Sequence, residues 1–267
     1  MNKKAFLVDT TKCSGCRACQ VACKQWNNLP AESTTFFGGP EYTNPAELSA
    51  ITFNHVKFFP VDLSKPEKPV WTIMHKKCYH CENANCQNAC PENAIRRLDG
   101  WTVIDHSRCI GCGACTEACV YNVPHVLEDD MSEYGTEQPL VSGKAYKCHA
   151  CTVNTRDIPA CASVCPTNAL TYGNREDLVK KAKARLDKVK PEYPHASIYG
   201  LKEFDGLGVI TILKNSPDKF GLPVNPKPIS AEKIMTIHAM YAFLNHFTLG
   251  LPSLKRTAYR ISKNLVG

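Results

Sequence analysis

Short apolar runs bounded by turn residues recur along the chain and predict strands. Phe6–Val8 and Trp101–Ile104 each predict a strand that leads directly into a cysteine loop. The second run follows Asp99–Gly100, a dipeptide typical of a tight β-hairpin turn. Weak alternation over Thr52–Val61 predicts an edge strand, and the β-branched run Gly208–Leu213 predicts a further strand. The pattern therefore favours several short strands separated by loops.

Two longer segments have helical patterns. Residues 174–190 predict a charged helix with one apolar face, formed by Leu178, Val179, Ala182, Leu186 and Val189. Pro223, Pro226 and Pro228 then predict a linker. Ile234–Leu251 carries no charge and is long enough to span a bilayer, but its histidines and asparagine are costly in hydrocarbon. We therefore expect a helix that docks on a partner or at the membrane surface, with a spanning helix as the alternative.

Cysteine is the unusual component of this chain. Sixteen of the 267 residues are cysteine, and the 43% of hydrophobic residues is typical of a globular protein. A disulfide framework requires export, and Met1–Asp9 has neither a long apolar run nor a small-residue cleavage site. We therefore expect no signal peptide and interpret the cysteines as metal ligands.

The cysteines fall into four groups of four. The groups are Cys13, Cys16, Cys19 and Cys23; Cys78, Cys81, Cys86 and Cys90; Cys109, Cys112, Cys115 and Cys119; and Cys148, Cys151, Cys161 and Cys165. Groups one and three have the spacing C-x2-C-x2-C-x3-C, and groups two and four end in C-x3-C-P. In two-cluster ferredoxins, three cysteines of such a run bind one [4Fe–4S] cluster and the fourth reaches the neighbouring cluster. The spacing predicts four [4Fe–4S] clusters, with zinc as an alternative that usually has more widely separated pairs.

An internal repeat indicates which groups pair. Residues 6–16 resemble residues 101–112, and residues 90–95 resemble residues 165–170. Groups one and three therefore belong to one kind of half of a ferredoxin-like unit, and groups two and four belong to the other kind. A ferredoxin-like unit needs one group of each type. Because the hairpin at Asp99–Gly100 joins groups two and three, these form one unit. Groups one and four then form a second unit into which the first is inserted.

The exchange of cysteines gives four predicted ligand sets. Set A is Cys13, Cys16, Cys19 and Cys165; set B is Cys23, Cys148, Cys151 and Cys161; set C is Cys78, Cys81, Cys86 and Cys119; and set D is Cys90, Cys109, Cys112 and Cys115. The predicted fold class is α+β, with two nested bacterial-ferredoxin-like units, loop insertions and a C-terminal helical extension. The outer unit comprises 1–60 and 140–175, the inserted unit 61–139, and the extension 176–267.

The formal charge of +7 counts the thiols as neutral. Thiolates bound to iron would bring the loaded chain close to neutrality, so the charge gives no reason to expect nucleic acid as a partner. We expect some of the cations beside ligands to raise cluster potentials, namely Lys12, Arg17, Lys24, Lys76, Lys77, Arg108 and Lys147. No P-loop or G-x-G-x-x-G is present and no cysteine is left over, so we expect no catalytic residues in this chain.

At this level of detail the chain resembles the iron–sulfur (beta) subunits of formate dehydrogenases, within the molybdenum- or tungsten-dependent oxidoreductases related to dimethyl sulfoxide reductase. The arrangement of four groups carries the resemblance over residues 5–175. Within it, Cys13–Asn27 looks like the first motif of those subunits, and Pro194–Gly200 with Gly221–Pro223 is similar to their C-terminal part.

The resemblance implies a large partner with a molybdenum– or tungsten–pterin site, where formate is oxidised to carbon dioxide or formed from it. This chain would conduct electrons between that partner and a membrane cytochrome subunit, a soluble carrier or another redox enzyme. The alternative is the same role for a polysulfide, thiosulfate or sulfoxide reductase. The expected location is the cytoplasm, or the periplasm by co-export with a partner that carries a twin-arginine signal. Membrane contact is expected through residues 229–267.

Overall fold

A computed structural model describes residues 3–34, 42–62, 70–135, 139–153 and 156–247. The strands are β1 (Lys4–Asp9), β2 (Asn54–Asp62), β3 (Val70–Lys77), β4 (Ile95–Leu98), β5 (Trp101–Ile104), β6 (His125–Val126), β7 (Ala145–Tyr146), β8 (Leu170–Asn174), β9 (Ser197–Tyr199) and β10 (Val209–Leu213). The helices are α1 (Ala18–Trp26), α2 (Asn85–Asn88), α3 (Ala114–Ala118), α4 (Ala160–Ser163), α5 (Arg175–Val189) and α6 (Ala231–Phe247). Each of α1 to α4 contains or adjoins predicted ligand cysteines, so the fold mixes strands with short helices around the cysteine groups.

The largest sheet has the strand order β8-β1-β10-β9 and is organised around β1. β1 pairs antiparallel with β8 and parallel with β10. Its side chains alternate between two cores because successive residues of a strand face opposite ways. Ala5 and Leu7 pack with α5, whereas Phe6 and Val8 belong to the larger core that contains the cysteines. The sheet therefore separates an aliphatic layer from the cysteine-rich interior.

Helix α5 confirms the amphipathic helix predicted over residues 174–190. Leu178, Ala182 and Val189 are buried against the sheet, with the other two predicted apolar positions packed beside them. Strand β10 likewise confirms the strand predicted at Gly208–Leu213. Because β10 pairs with β1, the sheet joins residues on both sides of the predicted boundary at residue 176. The division into units stays a prediction.

The hairpin predicted around Asp99–Gly100 is confirmed by the pairing of β4 with β5. Asp99 and Gly100 have φ values of 49° and 83°, as a two-residue hairpin turn of type I′ requires. Trp101 is buried and packs edge-on against Phe6 of β1, with the ring centroids 5.2 Å apart. This contact joins the hairpin to the main sheet.

The first insertion forms a second hairpin, in which β2 pairs with β3. This confirms the strand predicted at Thr52–Val61. Gln20 of α1 accepts a hydrogen bond from the backbone N–H of Val56, and its side-chain amide donates to the carbonyl of Asn44. The first bond attaches the hairpin to α1, and the second attaches the segment before the hairpin to the same helix. The shorter insertion between groups three and four pairs β6 with β7.

Helix α6 lies at the end of the described chain and covers most of the segment predicted to be helical. Its described side chains, over 231–243, are all at least partly exposed, and Met235 and Phe243 are 66% and 63% exposed. Within the ranges that the structure describes, no helix has the length and apolar character needed to cross a membrane. Residues 248–251 of the predicted segment, and the rest of the tail to 267, lie outside the described residues.

The cap of α5 gives a test of how the sheet is stabilised. The Asn174 side chain accepts hydrogen bonds from the backbone N–H groups of Glu176, at 2.9 Å, and Asp177, at 3.5 Å. We expect Asn174→Ala to lower the free energy of unfolding by about 1 kcal/mol, because two N–H groups at the helix start lose their acceptor. The measurement is the denaturant midpoint of the cluster-loaded chain. The exposed Lys183→Ala on the same helix serves as control, and an equal shift in both variants would contradict the prediction.

Candidate metal centres

All four cysteine groups begin with the same turn of the backbone. The residue immediately before the second cysteine has a positive φ in every group: Gly15 (71°), His80 (49°), Gly111 (65°) and Ala150 (58°). This left-handed conformation bends the chain so that the flanking cysteines face the same side. Two of the four positions are glycine, which adopts it without strain, whereas His80 and Ala150 adopt it at a cost of about 1–2 kcal/mol each. The four loops therefore share this turn, although their sequences differ and group four has a second positive φ at Cys151.

Backbone hydrogen bonds to sulfur repeat with the loops. The N–H of the residue two places after the first cysteine donates to its sulfur at 3.4 Å in groups two, three and four. The N–H groups of Ala94 and Leu170 donate to Cys90 and Cys165, each at 3.3 Å. These two cysteines are the ones followed by proline. The internal repeat seen in the sequence is thus also a repeat of sulfur environments.

The thiols of groups two and three lie close to one another. Burial raises the pKa of Cys119 to about 11, with repulsion from Cys78 adding to the rise. Burial likewise raises the pKa of Cys112 to about 11, and Cys90 and Cys109 add to it. Helices α2 and α3 pack against each other and bring these cysteines together. The neighbours of each thiol include the partners expected in sets C and D.

The thiols of groups one and four meet in the same way, although more than a hundred residues separate them. Burial raises the pKa of Cys13, and Cys165 is the thiol whose repulsion adds most to this rise. Burial also raises the pKa of Cys23, with Cys148 and Cys161 adding to it. Contacts between α1 and α4 and the pairing of β1 with β8 hold these loops together. Groups one and four therefore lie together, while the division of their cysteines between sets A and B stays a prediction, since Cys161 of set B has the largest effect of any thiol on the pKa of Cys19.

Two cavities are bounded by complete predicted ligand sets. One cavity is lined by all four cysteines of set D, together with Ile95, Ile104 and Ala145. A second cavity is lined by all four cysteines of set B, with Phe6, Phe53 and Lys77. Among the described residues, no group of three His, Cys, Asp or Glu side chains is arranged to hold a single metal ion.

Two family models of the 4Fe–4S dicluster domain match the chain, over residues 12–94 and 69–175. The nitrate-inducible formate dehydrogenase iron–sulfur subunit of Escherichia coli K12 is 33% identical over 231 residues, which cover 84% of this chain and 73% of that protein. The beta subunit of formate dehydrogenase 2 (cytochrome c-553) of Nitratidesulfovibrio vulgaris is 28% identical and covered over 96% of its length, with 81% of this chain aligned. The hydrogenase-2 operon protein HybA of Escherichia coli O157:H7 is 28% identical, over 82% of this chain and 72% of its own.

The chain belongs to the formate dehydrogenase iron–sulfur subunits. The resemblance seen in the sequence is therefore confirmed, and the chain is an iron–sulfur, electron-transfer subunit with ferredoxin-like dicluster domains. Its cofactors are [4Fe–4S] clusters. The relatives are named as subunits of formate dehydrogenases and as a hydrogenase operon protein, so a catalytic partner subunit is implied.

The residues of the iron–sulfur subunit fit an anionic cofactor. Lys77 is 2% exposed, lines the cavity of set B, and has no hydrogen-bond partner for its Nζ atom among the described residues. An isolated buried ammonium is unfavourable by several kcal/mol unless an opposite charge lies nearby. Four thiolates around a [4Fe–4S] core carry net negative charge, so the cofactor would supply the missing counter-charge.

The structure distinguishes among the seven cations predicted beside the ligands. Lys77 and Lys147 are buried, whereas Lys76 points to Glu47 and Lys24 donates to two backbone carbonyls. Lys12 and Arg108 are exposed, and the Arg17 guanidinium lies over the Phe58 ring. The sequence missed Lys214, a cation whose charge opposes the burial-driven rise in the pKa of Cys13. No sequence signal connects two residues so far apart.

Three histidines near ligands are not needed to complete any set. His75 and His80 are buried, and both ring nitrogens of His75 lack a hydrogen-bond partner among the described residues. Burial lowers the pKa of His149 to about 4 and lowers those of His75 and His80 as well. These rings are therefore neutral at pH 7 and act as packing beside the cysteines. His80 stacks edge-on against Trp101, at 5.0 Å between centroids.

The turn before the second cysteine can be tested in the iron–sulfur subunit. A Cβ atom at Gly15 would lie 2.8 Å from Cζ of Phe58, in addition to the strain of a positive φ. We expect Gly15→Ala to lose its clusters faster than the wild type, measured as the decay of cluster absorbance. Gly113→Ala is the matched control, since Gly113 has a φ of 87° but nothing within 4 Å of an added Cβ. Equal decay in the two variants would contradict the steric argument.

Proposed function

We propose that this chain carries four [4Fe–4S] clusters and relays electrons between a molybdenum- or tungsten-pterin formate dehydrogenase subunit and an electron acceptor or donor. The observation that carries the proposal is the fourfold repetition of one cysteine loop, which uses all sixteen cysteines of the chain. A single loop of this kind is specific for iron–sulfur proteins. Four of them arranged as two pairs support a row of clusters.

The proposed ligand sets are those predicted from the sequence, sets A to D. Support comes from the strands, because β1 before group one pairs with β8 after group four, and β4 after group two pairs with β5 before group three. Each pairing is the one that a ferredoxin-like unit with exchanged cysteines requires. The cavities bounded by sets B and D add direct support for two of the four sets.

We further propose the nested division into an outer unit (1–60 and 140–175), an inserted unit (61–139) and an extension (176–267). The extension contributes to the outer unit in packing, since β9 and β10 complete its sheet and α5 covers one face. The remaining part of the extension is the linker and α6. The exposed apolar side chains of α6 support docking on a partner subunit or on a membrane surface.

In this mechanism the clusters, when bound, accept and release single electrons. The chain's own residues hold the sulfur atoms at fixed positions, donate N–H groups to them and exclude water. All four cysteines of set B are buried, whereas Cys16 of set A is exposed. Because electron tunnelling weakens with distance, we propose that set A lies near a site of electron exchange with another protein. Set B then has an internal role.

The same electron-transfer role in another oxidoreductase complex is the second candidate function. The similarity to the hydrogenase-2 operon protein HybA supports this alternative, because the name of that relative does not refer to a formate enzyme. A polysulfide, thiosulfate or sulfoxide reductase partner belongs to this alternative. The chain would conduct electrons in the same way, and only the substrate of the partner would differ.

Chemical analysis and ligand replacement test the cluster proposal. We expect about sixteen iron and about sixteen sulfide per chain, since each cubane contains four of each. We also expect Cys13→Ala and Cys165→Ala to alter the same electron paramagnetic resonance signal, because both cysteines belong to set A. Cys23→Ala is the control, close to Cys13 in sequence but assigned to set B. If Cys13→Ala and Cys23→Ala altered the same signal, and Cys165→Ala altered a different one, the exchange of last cysteines between groups would be refuted.

The identity of the partner can be tested by co-purification from the native host. We expect a large subunit that contains molybdenum or tungsten, and we expect formate to reduce the clusters of the isolated complex under anaerobic conditions. Polysulfide, thiosulfate and sulfoxide are the comparison substrates, tested for reoxidation of the reduced clusters. Reoxidation by one of these with no response to formate would support the second candidate function instead.

A further inference from the structure

Two buried lysines occupy equivalent places in the internal repeat. Lys77 immediately precedes Cys78, the first cysteine of group two, and Lys147 immediately precedes Cys148, the first cysteine of group four. They are 2% and 4% exposed. Long cationic side chains are rarely buried to this extent without an opposite charge. Because the two lysines have equivalent positions, we expect them to have the same role beside the cysteine groups.

Each lysine reaches away from its own group towards the other unit. Lys77 lies at the end of β3 in the inserted unit, yet it lines the cavity formed by Cys23, Cys148, Cys151 and Cys161 of the outer unit. Its Nζ atom lies over the ring of Phe6 in β1, 2.8 Å from the ring centroid. The side chain thus crosses from one unit into the site of the other.

Lys147 makes the reverse crossing. Its Nζ atom donates to the carbonyl oxygen of Thr102 in β5 of the inserted unit, and at 3.3 Å to that of Cys148. This strand packs against group two, because the rings of Trp101 and His80 lie 5.0 Å apart and His80 immediately precedes Cys81 of set C. The charge of Lys147 also opposes the burial-driven rise in the pKa of Cys86 and of Cys119. Both cysteines belong to set C, in the inserted unit.

Neither lysine has a protein counter-charge among the residues that the structure describes. Asp9 is the one buried carboxylate in those ranges, and it pairs with Arg185 at 2.9 Å. Lys77 and Lys147 form no ion pair with any described carboxylate. Lys77 has only an aromatic ring beside its Nζ atom, and Lys147 has only neutral carbonyls. Among the described residues, neither buried lysine therefore has a carboxylate as partner, and a cluster bound by the neighbouring cysteines would supply the negative charge.

We propose that Lys77 and Lys147 are exchanged between the two ferredoxin-like units, so that each supplies the counter-charge for a cluster of the other unit and raises its reduction potential. Lys77 would act on the cluster of set B and Lys147 on that of set C. The inference rests on the proposed ligand sets. Reduction adds one negative charge to a cluster, and a fixed cation in a poorly solvated interior stabilises that charge. The two lysines would hold a positive charge beside the clusters and would not bind iron themselves.

The exchange has a structural consequence. Each cluster would be held by cysteines of one unit and balanced by a cation of the other, so the inserted unit and the outer unit depend on each other electrostatically. Lys76 shows the contrast. It adjoins Lys77 in the sequence, but its side chain pairs with Glu47 at 3.3 Å. Lys76 is not among the residues that line the cavity of set B.

The experiment is a redox titration of the cluster-loaded full chain, followed by electron paramagnetic resonance. We expect Lys77→Met to lower one midpoint potential by at least about 59 mV, which is a tenfold change in a one-electron reduction equilibrium. Lys147→Met should lower a different midpoint by a similar amount. Lys76→Met is the matched control and should leave all midpoints in place. Lys77→Arg keeps the charge and should retain the wild-type midpoint.

The outcomes separate this inference from the proposed function. A wild-type iron content far from sixteen per chain would remove the basis of both. With sixteen iron present, unchanged midpoints in Lys77→Met or Lys147→Met, or a shift of the same midpoint by both, would overturn the exchange of lysines alone. If Lys77→Met loses iron, the count of iron becomes the measurement. Retention of iron in Lys77→Arg then supports the proposal, and equal loss in both variants overturns it.

Discussion

The structure depends on a turn that directs cysteine sulfurs inward. In each of the four loops, the residue before the second cysteine is in the left-handed region, so that the chain curls and the flanking thiols face a common space. The strand that enters the loop and the helix that leaves it are then fixed in direction. Because the last cysteine of each run lies on or near that helix, it is carried towards a neighbouring loop. The pairing of loops, helices and strands follows from this geometry.

Burial of so many thiols creates an electrostatic problem for the protein. Burial and mutual repulsion raise the pKa values of the thiols, which means that the interior disfavours the thiolates that iron requires. Backbone N–H groups directed at sulfur, and lysines with no carboxylate beside them, oppose this effect. The excess of basic residues in the composition is thus explained partly by the interior. We propose that the negative charge of bound clusters and the positive charges of Lys77 and Lys147 balance each other.

The C-terminal part of the chain has two different relations to this core. β9, β10 and α5 are joined to β1 by strand pairing and by an aliphatic layer that contains no cysteine. They stabilise the strand that leads into group one. Helix α6, in contrast, follows a proline-rich linker that is attached at Ile229 by a hydrogen bond to Asn85, and its described side chains remain at least partly exposed. Its surface is therefore available to a partner.

The sequence by itself determined the cofactor class, because the spacing of cysteines along a chain fixes which thiolates can reach one cubane. It also predicted the hairpin at Asp99–Gly100, the strand β10 and the helix α5, since each depends on turn residues or periodicity within a short window. The assignment of sets A to D required one further step, the internal repeat, which is also a sequence property.

Only the tertiary structure decided which charges and packing surfaces surround the cysteines. Lys214 lies close enough to Cys13 to affect its pKa, although two hundred residues separate them, and Lys77 faces the thiols of a different group from the one it adjoins. Neighbours in sequence say nothing about such contacts, because the direction of a side chain is set by the strand or loop that carries it. The parallel pairing of β10 with β1 was equally inaccessible, since hydrogen bonds between distant strands have no local signature. The sequence determines which cysteines can bind a cluster, and the packing of distant segments determines which charges surround those cysteines.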